Sequence, residues 1–428
     1  MIIDFTVGNF LSFRERVTLS LEASSASELE PTNVFRAGDL RLLRAAVVYG
    51  ANASGKSNLI KAMTFMKRLT VTSSKETQIG DEIDVTPFRL SEDGGKPSYF
   101  ELRFIRDKTR YRYGFEVSRK RVHREWLYSQ VTSKEANLFT RDAGGISVNR
   151  NRFKGGRDLT NKTRTNALFL SVAAQFNQQI ARQLVSWFKG LRFISGATDM
   201  AFLPYTLERL EDEKCKKRIL EMVRNVDLGI DDISGKSIKV TADRLPKDMP
   251  AGLKKQFVAL KGETLEIRTV HRRLSGDKVA SSVEFDLESD ESEGTRKFVA
   301  MTGPLIDTLD NGYVLVIDEL DARMHPLVTR YIISLFNSRM NRCNAQLIFA
   351  THDTNLLSSD YMRRDQIWFT EKRDDGSTSL YSLIEFKAPS TGKRVRKDAS
   401  FRKDYIQGRY GAIPFIGDFN LLAGTKPC

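Results

Sequence analysis

The stretch Gly50-Ala51-Asn52-Ala53-Ser54-Gly55-Lys56-Ser57 constrains this chain most, because it fills every fixed position of the pattern G-x-x-x-x-G-K-[ST]. Ahead of it, Ala45 to Tyr49 is a short apolar run of buried-strand type, and Ser57 to Met63 behind it has helical periodicity. The segment therefore reads as a strand, a phosphate-binding loop and a helix. Gly50 and Gly55 allow backbone N–H groups to converge on phosphate oxygens at the helix N-terminus. Lys56 reaches the β and γ phosphates, and the Ser57 hydroxyl is placed for Mg²⁺.

A second constellation, Val314-Leu315-Val316-Ile317-Asp318-Glu319, is an apolar run that ends in two carboxylates. Sheets of α/β proteins place ligands at the C-terminal ends of such strands. Hydrolysis of a nucleoside triphosphate needs a carboxylate for the metal and a base for the attacking water; Asp318 fits the first role and Glu319 the second. Upstream lies Ser292-Glu293-Gly294-Thr295-Arg296, and downstream Leu347 to Asp353, which carries His352. The intervening chain on each side holds a helix and a strand, so both segments are expected at the rim of the same sheet. A Ser-x-Gly turn opening a helix presents backbone N–H groups to an anion, which suits a γ-phosphate at Ser292 and Gly294.

At 428 residues the chain exceeds one ordinary compact domain and leaves room for insertions. No apolar run approaches the roughly 20 residues of a membrane span. The start, Met1-Ile2-Ile3-Asp4-Phe5, lacks the basic and apolar regions of a secretory signal, so a cytoplasmic protein is expected. Cys215, Cys343 and Cys428 are far apart and form no C-x-x-C pair, which argues for free thiols. A formal net charge of +14 favours a polyanion or an acidic partner.

Along the chain, Ile2 to Val7 and Val17 to Leu21 read as strands joined by a turn that carries Arg14, more readily an exposed structural arginine than a nucleotide contact. Tyr99 to Ile105 and Tyr111 to Val117 alternate with period two and suggest a hairpin, with Val122 to Gln130 as the next strand. Arg110, Arg112, Arg119, Lys120, Arg121 and Arg124 crowd this region, either as a solvated sheet face or as a nucleic-acid contact. Arg150 to Arg164 reads as a basic loop, disordered or ordered by a ligand. Helices are expected over roughly 167–189 and 207–225, then strands at 238–240, 264–270 and 282–287, with a Pro- and Lys-rich connection from Arg244 to Lys255. The acidic run Asp286, Glu288, Asp290, Glu291 reads as the polar approach to the Ser292 turn rather than a nuclease site. Lys387 to Arg409 is basic, but its tyrosines and glycines argue for order.

With these residues in place, the chain resembles the ABC-type ATPases of the SMC, Rad50, RecF and OLD kind. The segment 50–58, including Asn52 and Asn58, is similar to their Walker A, Ser292 to Arg296 to their signature motif, and Val314 to Glu319 to their Walker B. Leu320-Asp321 resembles their D-loop and His352 their switch histidine. The whole chain resembles more closely the AAA15 ATPases of abortive-infection operons, of the AbiL and RloA type, through Ile317 to Asp321 with His325-Pro326, Arg364 to Phe369 and Gly408 to Pro414. It departs from the wider pattern at Glu291, where leucine is usual, and in lacking an evident Q-loop glutamine, for which Gln175 is the candidate.

The resemblance implies an α/β ABC-type P-loop ATPase head from 1–70 and 285–428, an antiparallel β-meander lobe over 71–150 contiguous with it, and a helical and mixed insert over 151–284. It also implies ATP and Mg²⁺, a nucleotide-sandwich homodimer or higher homo-oligomer, and a nuclease or toxin effector encoded separately, with DNA or a phage polyanion as a further partner. No membrane association is expected. A repair ATPase of the RecF or Rad50 kind and an ATP-locked scaffold that sequesters a toxin are the alternatives.

Overall fold

A computed structural model describes residues 1–91, 95–131, 134–196, 199–239, 250, 252, 263–276, 278–387 and 392–414. The chain forms two compact units: Met1–Ser195 with Leu309–Leu320 and Ile332–Cys428, and Gly196–Thr308 with Asp321–Tyr331.

The first unit opens with β1 (Ile2–Gly8) and β2 (Val17–Ser20), then a small hairpin of β3 (Val34–Ala37) and β4 (Leu40–Leu43). The loop-bearing strand β5 (Ala45–Tyr49) follows, with the 17-residue helix Lys56–Thr72 behind the phosphate loop. Next come β6 (Ser98–Arg106), β7 (Thr109–Val117), β8 (Val122–Gln130), β9 (Ala136–Asp142) and β10 (Gly145–Val148). They form an antiparallel sheet ordered β10-β9-β8-β7-β6-β1-β2. Asp107 and Lys108, at φ 48° and 63°, form the two-residue turn between β6 and β7, the left-handed geometry that matches strand twist. Period-two alternation puts Phe100, Leu102 and Phe104 on the buried face, as expected from the sequence.

Helices Phe169–Gln175 and Gln179–Lys189 lead into β11 (Leu191–Ser195). A second sheet combines β11 with β15 (Val314–Asp318), β16 (Gln346–Ala350), β17 (Ile367–Lys372) and β18 (Thr378–Ser382), in the order β11-β15-β16-β5-β17-β18. All its pairs are parallel except β17 with β18. Both faces of such a sheet are covered, so β5 and β16 are buried along their whole length and apolar except for Gln346, which opens β16. One core cluster joins Leu59, Met63 and Met66 of the helix Lys56–Thr72 to Phe100 and Phe115 of the antiparallel sheet, and to Val48, Val316 and Ile348 of the parallel one. The phosphate-loop helix thus lies between the two sheets, its orientation fixed from both sides. Strands from before residue 70 and after residue 285 share one sheet, as the α/β head requires.

The second unit holds helices Leu203–Leu210 and Glu213–Asn225 and a three-stranded antiparallel sheet of β12 (Ile230–Lys239), β13 (Glu263–Ser275) and β14 (Lys278–Asp286). The helix Glu293–Asn311 starts here and carries Pro304 in its interior. Proline has no N–H and leaves the carbonyl four residues earlier without its partner. Thr206 Oγ1 supplies one, donating to Ala300 O at 2.7 Å and accepting from Gly303 N at 3.2 Å.

Several expectations need correction. The helix expected over 167–189 is two helices, broken where Asn177 adopts φ 62° and the Gln178 side chain caps Ala181 N at 2.7 Å. That expected over 207–225 starts at Leu203 and breaks at Glu211-Asp212, where Asp212 caps Cys215 N at 2.8 Å. Strand β11 was not expected at all. Arg157–Lys162 is a 3-10 turn inside the expected loop. Most of the Arg244 to Lys255 connection lies outside the described residues. No helix among the described residues is long and apolar enough to cross a membrane.

Candidate nucleotide site

The phosphate loop joins β5 to the helix Lys56–Thr72. Gly50 and Gly55 have φ 156° and 114°, and a Cβ on Gly55 would lie 2.7 Å from Thr378 Cγ2 and run into Thr378 Oγ1. Glycine is required here by backbone angle and by space. Lys56 is 7% exposed, and its Nζ donates to Gly50 O at 2.8 Å and Ala51 O at 3.1 Å. The ammonium is therefore held over the loop, where a phosphate oxygen would compete with carbonyls for its protons. The helix ladder begins with Leu59 N to Gly55 O at 3.0 Å, and no side chain caps the end, so the first-turn N–H groups face the loop. Ser57 and Asn58 are half-buried and Asn52 is exposed at the loop tip.

A polar buttress behind the loop was not legible from motifs. Thr370 Oγ1 on β17 lies 2.7 Å from Ser54 Oγ. Thr378 Oγ1 on β18 donates to Ser54 O at 2.8 Å and lies 2.8 Å from Ser12 Oγ, in the β1–β2 turn. Asn58 Nδ2 donates to Ser12 Oγ at 2.8 Å, so this amide supports the loop from its helix side. In the same turn Arg14 pairs with Asp375 at 3.2 Å, in keeping with a structural role.

Asp318 ends β15 and Glu319 follows it at the C-terminal rim that also carries the phosphate loop. Between β15 and β5 runs β16, followed by His352. The unexpected β11 pairs in parallel with β15 and puts Ser195 in register with Asp318. Glu319 is exposed at φ 53°, a left-handed conformation that carries strain for a non-glycine residue, and the following Leu320 N is pinned to Ala350 O at 3.1 Å. Tyr49 Oη donates to Asp353 O at 3.0 Å, tying the segment after His352 to the strand before the loop. His352 itself is exposed.

Asp318 Oδ1 is buried and has no hydrogen-bond partner. A buried carboxylate oxygen without a donor is costly unless something cationic completes it. Asp318 and the Ser57 hydroxyl both offer oxygen donors from that C-terminal rim, the ligand chemistry Mg²⁺ takes, so the residues present fit the implied metal.

Ser292 and Gly294 belong to the second unit. Ser292 Oγ accepts from Thr295 N at 3.1 Å and so caps the helix Glu293–Asn311. A Cβ on Gly294 would lie 2.6 Å from Arg323 O, and Lys297 Nζ donates to Ala322 O at 2.8 Å, so the turn is locked against the segment that follows the Walker B strand. Glu291, the departure from the usual leucine, accepts from Thr269 Oγ1 at 2.6 Å and lies 2.6 Å from His271 Nε2, which ties the turn to β13. Asp286 and Asp290 bond backbone N–H groups of the same turn, in keeping with a structural approach to it.

Gln175 is not brought to the loop. Ser171, one turn before it, bonds to Ser74 beyond the far end of the helix Lys56–Thr72, which is about 25 Å long. Four of the arginines crowding the antiparallel sheet are paired: Arg112 with Glu101 and Glu135, Arg119 with Glu82, Arg124 with Glu116 and Arg110 with Asp39. In the C-terminal basic stretch, whose residues 388–391 lie outside the described residues, Tyr405 packs against Phe369 of β17, as does Tyr410 just beyond it.

No curated protein matches this chain. Among solved structures, an SMC head bound to the C-terminal winged-helix domain of ScpA is 14% identical, covering 89% of this chain and 97% of that one at a TM-score of 0.45. An SMC head domain from Thermotoga maritima is 12% identical, with coverages of 89% and 98% and a TM-score of 0.40. Residues 45–358, most of the chain and the span from the phosphate loop to His352, match the family model described as "AAA domain, putative AbiEii toxin, Type IV TA system". This chain belongs to that family of AAA-type P-loop proteins.

Proposed function

We propose that the chain binds and hydrolyses ATP as a nucleotide-sandwich dimer in the cytoplasm, and that this cycle controls a separately encoded nuclease or toxin in antiphage defence of the abortive-infection type. The observation that carries the catalytic part is the shared rim: the phosphate loop on β5, and Asp318 with its unpartnered oxygen followed by Glu319 on β15.

In this reading the loop N–H groups and Lys56 bind the phosphates, and Glu319 orients the attacking water and takes its proton. Ser57 and Asp318 would hold Mg²⁺, which when bound neutralises charge on the phosphates. His352 contacts the γ-phosphate end, and Ser292 and Gly294 of a second copy cap it. The defence part is supported by the toxin–antitoxin description of the family and by the closer resemblance to the abortive-infection ATPases.

Lys56→Ala is expected to abolish ATP binding in calorimetry. Glu319→Gln should bind ATP but hydrolyse it about 10²–10⁴-fold more slowly, the usual worth of a general base. Copurification of a nuclease or toxin, with phage protection lost in Lys56→Ala, supports the defence role. Ultraviolet sensitivity of a deletion strain with unchanged phage plating would transfer the same chemistry to a repair ATPase.

A further inference from the structure

The segment between β10 and the helix Phe169–Gln175 concentrates positive charge that the fold leaves unneutralised. Arg150, Arg152, Lys154, Arg157 and Lys162 project from it, and Arg182 lies one helical turn beyond Gln178, whose Nε2 donates to Lys154 O. All six are exposed, and Asp158 is the only acidic residue from 150 to 164. None of the six makes an ion pair with a described residue, in contrast to Arg110, Arg112, Arg119 and Arg124 of the antiparallel sheet.

The segment is nevertheless held in one shape. Phe153 is fully buried between Phe139 and Phe169, and Leu159 is buried two turns later. Asn149 Oδ1 accepts from the N–H groups of Asn151 and Arg152, and Phe153 N donates to Asn149 O at 2.8 Å. Lys162 Nζ sits 4.6 Å over the ring of Phe176, itself 49% exposed. A loop with only a solubilising role gains nothing from holding like charges together on a buried aromatic anchor. A repeating anion does gain, because the cations are already arrayed and little side-chain and loop entropy is lost on binding.

We infer that this loop binds the phosphodiester backbone of a nucleic acid. Recognition is of charge spacing rather than base sequence, since phosphate contacts position a protein without reading bases. The inference does not depend on the nucleotide-hydrolysis reading and is tested without ATP.

Binding of the full-length protein to labelled duplex DNA and, separately, to single-stranded DNA is followed by fluorescence anisotropy across a salt series. Arg152→Ser/Lys154→Ser/Arg157→Ser is expected to bind at least about tenfold more weakly at low salt. Its plot of log affinity against log salt should be shallower by about two to three, since each phosphate that a cation neutralises on a duplex adds about 0.9 to the slope. Loss in both arms assigns the site to the backbone at large, and loss in one arm to that form. Arg124→Ser, which removes a cation already paired with Glu116, should bind like the wild type. The three substituted side chains are exposed, so an unchanged melting temperature accompanies the expected loss. Wild-type protein that binds neither DNA, a triple variant with unchanged affinity and slope, or loss of only an acidic protein partner in a pull-down would overturn the inference.

Discussion

At Gly55 a single methyl group meets two obstacles, the φ of 114° and the Thr378 side chain. Gly55→Ala is expected to cost about 2–4 kcal/mol, from an unfavourable backbone angle together with overpacking, and to weaken ATP binding because the loop N–H groups are displaced. Adding Thr378→Ala should recover the steric part of the melting-temperature loss but not the backbone part. A single variant as stable as wild type in a thermal melt would show that the loop has another shape. The two glycines, Lys56 and Ser57 could be read from the sequence because their roles follow from fixed local spacing. Ser12, Thr370 and Thr378 could not, because each reaches the loop only through the tertiary approach of a turn or strand remote from it in sequence. The Glu291 link to His271 is of the same kind: it fills a position where the motif specifies another residue, and its partner lies on a strand remote in sequence.

Elements were legible where one periodicity ran uninterrupted between clear boundaries. β6 and β7 fall close to the expected spans because they alternate with period two and a two-residue turn separates them, and β8 follows as the next strand of the meander. The break at Asn177 was hidden because Leu168, Leu170 and Val172 continue in helical spacing to Ile180 and Leu184, so the apolar pattern alone does not mark where the backbone turns. β11 lies at an edge of the parallel sheet, and its partly exposed Arg192 and Phe193 remove the continuous apolar signature of a central strand. The proline in the helix Glu293–Asn311 is accommodated by another element, and that yields a test. Thr206→Val keeps the shape but leaves Ala300 O buried without a donor and Gly303 N without its acceptor, at a cost of about 1–3 kcal/mol. Pro304→Ala in the same background restores an N–H able to reach Ala300 O, so the two changes should be less than additive in denaturant melts. Strict additivity would mean that the hydroxyl does not stand in for the missing proline N–H.

At the scale of the whole molecule, the proposal divides one catalytic site between two copies, and mixing variants is the direct way to ask whether it is divided. Lys56→Ala removes the phosphate-loop ammonium, and Ser292→Arg places a bulky cation at the turn that would cap the γ-phosphate. Each variant alone should be inactive, because in a homodimer both sites carry the same defect. In a heterodimer, the intact loop of one copy meets the intact turn of the other at one site, while both defects fall together at the second. Random exchange makes about half of the dimers mixed, each with one working site of two, so an equal mixture should recover about a quarter of wild-type ATPase activity under closed two-fold association. The recovery should fall on dilution together with the dimer population seen by light scattering, since hydrolysis then needs the second copy. If Ser292 and Gly294 instead served the loop of their own chain, no pairing of these variants would contain an intact site. A mixture that stays inactive while ATP still drives formation of mixed dimers would therefore refute the composite site and leave Asp318 and Glu319 to act within a single copy.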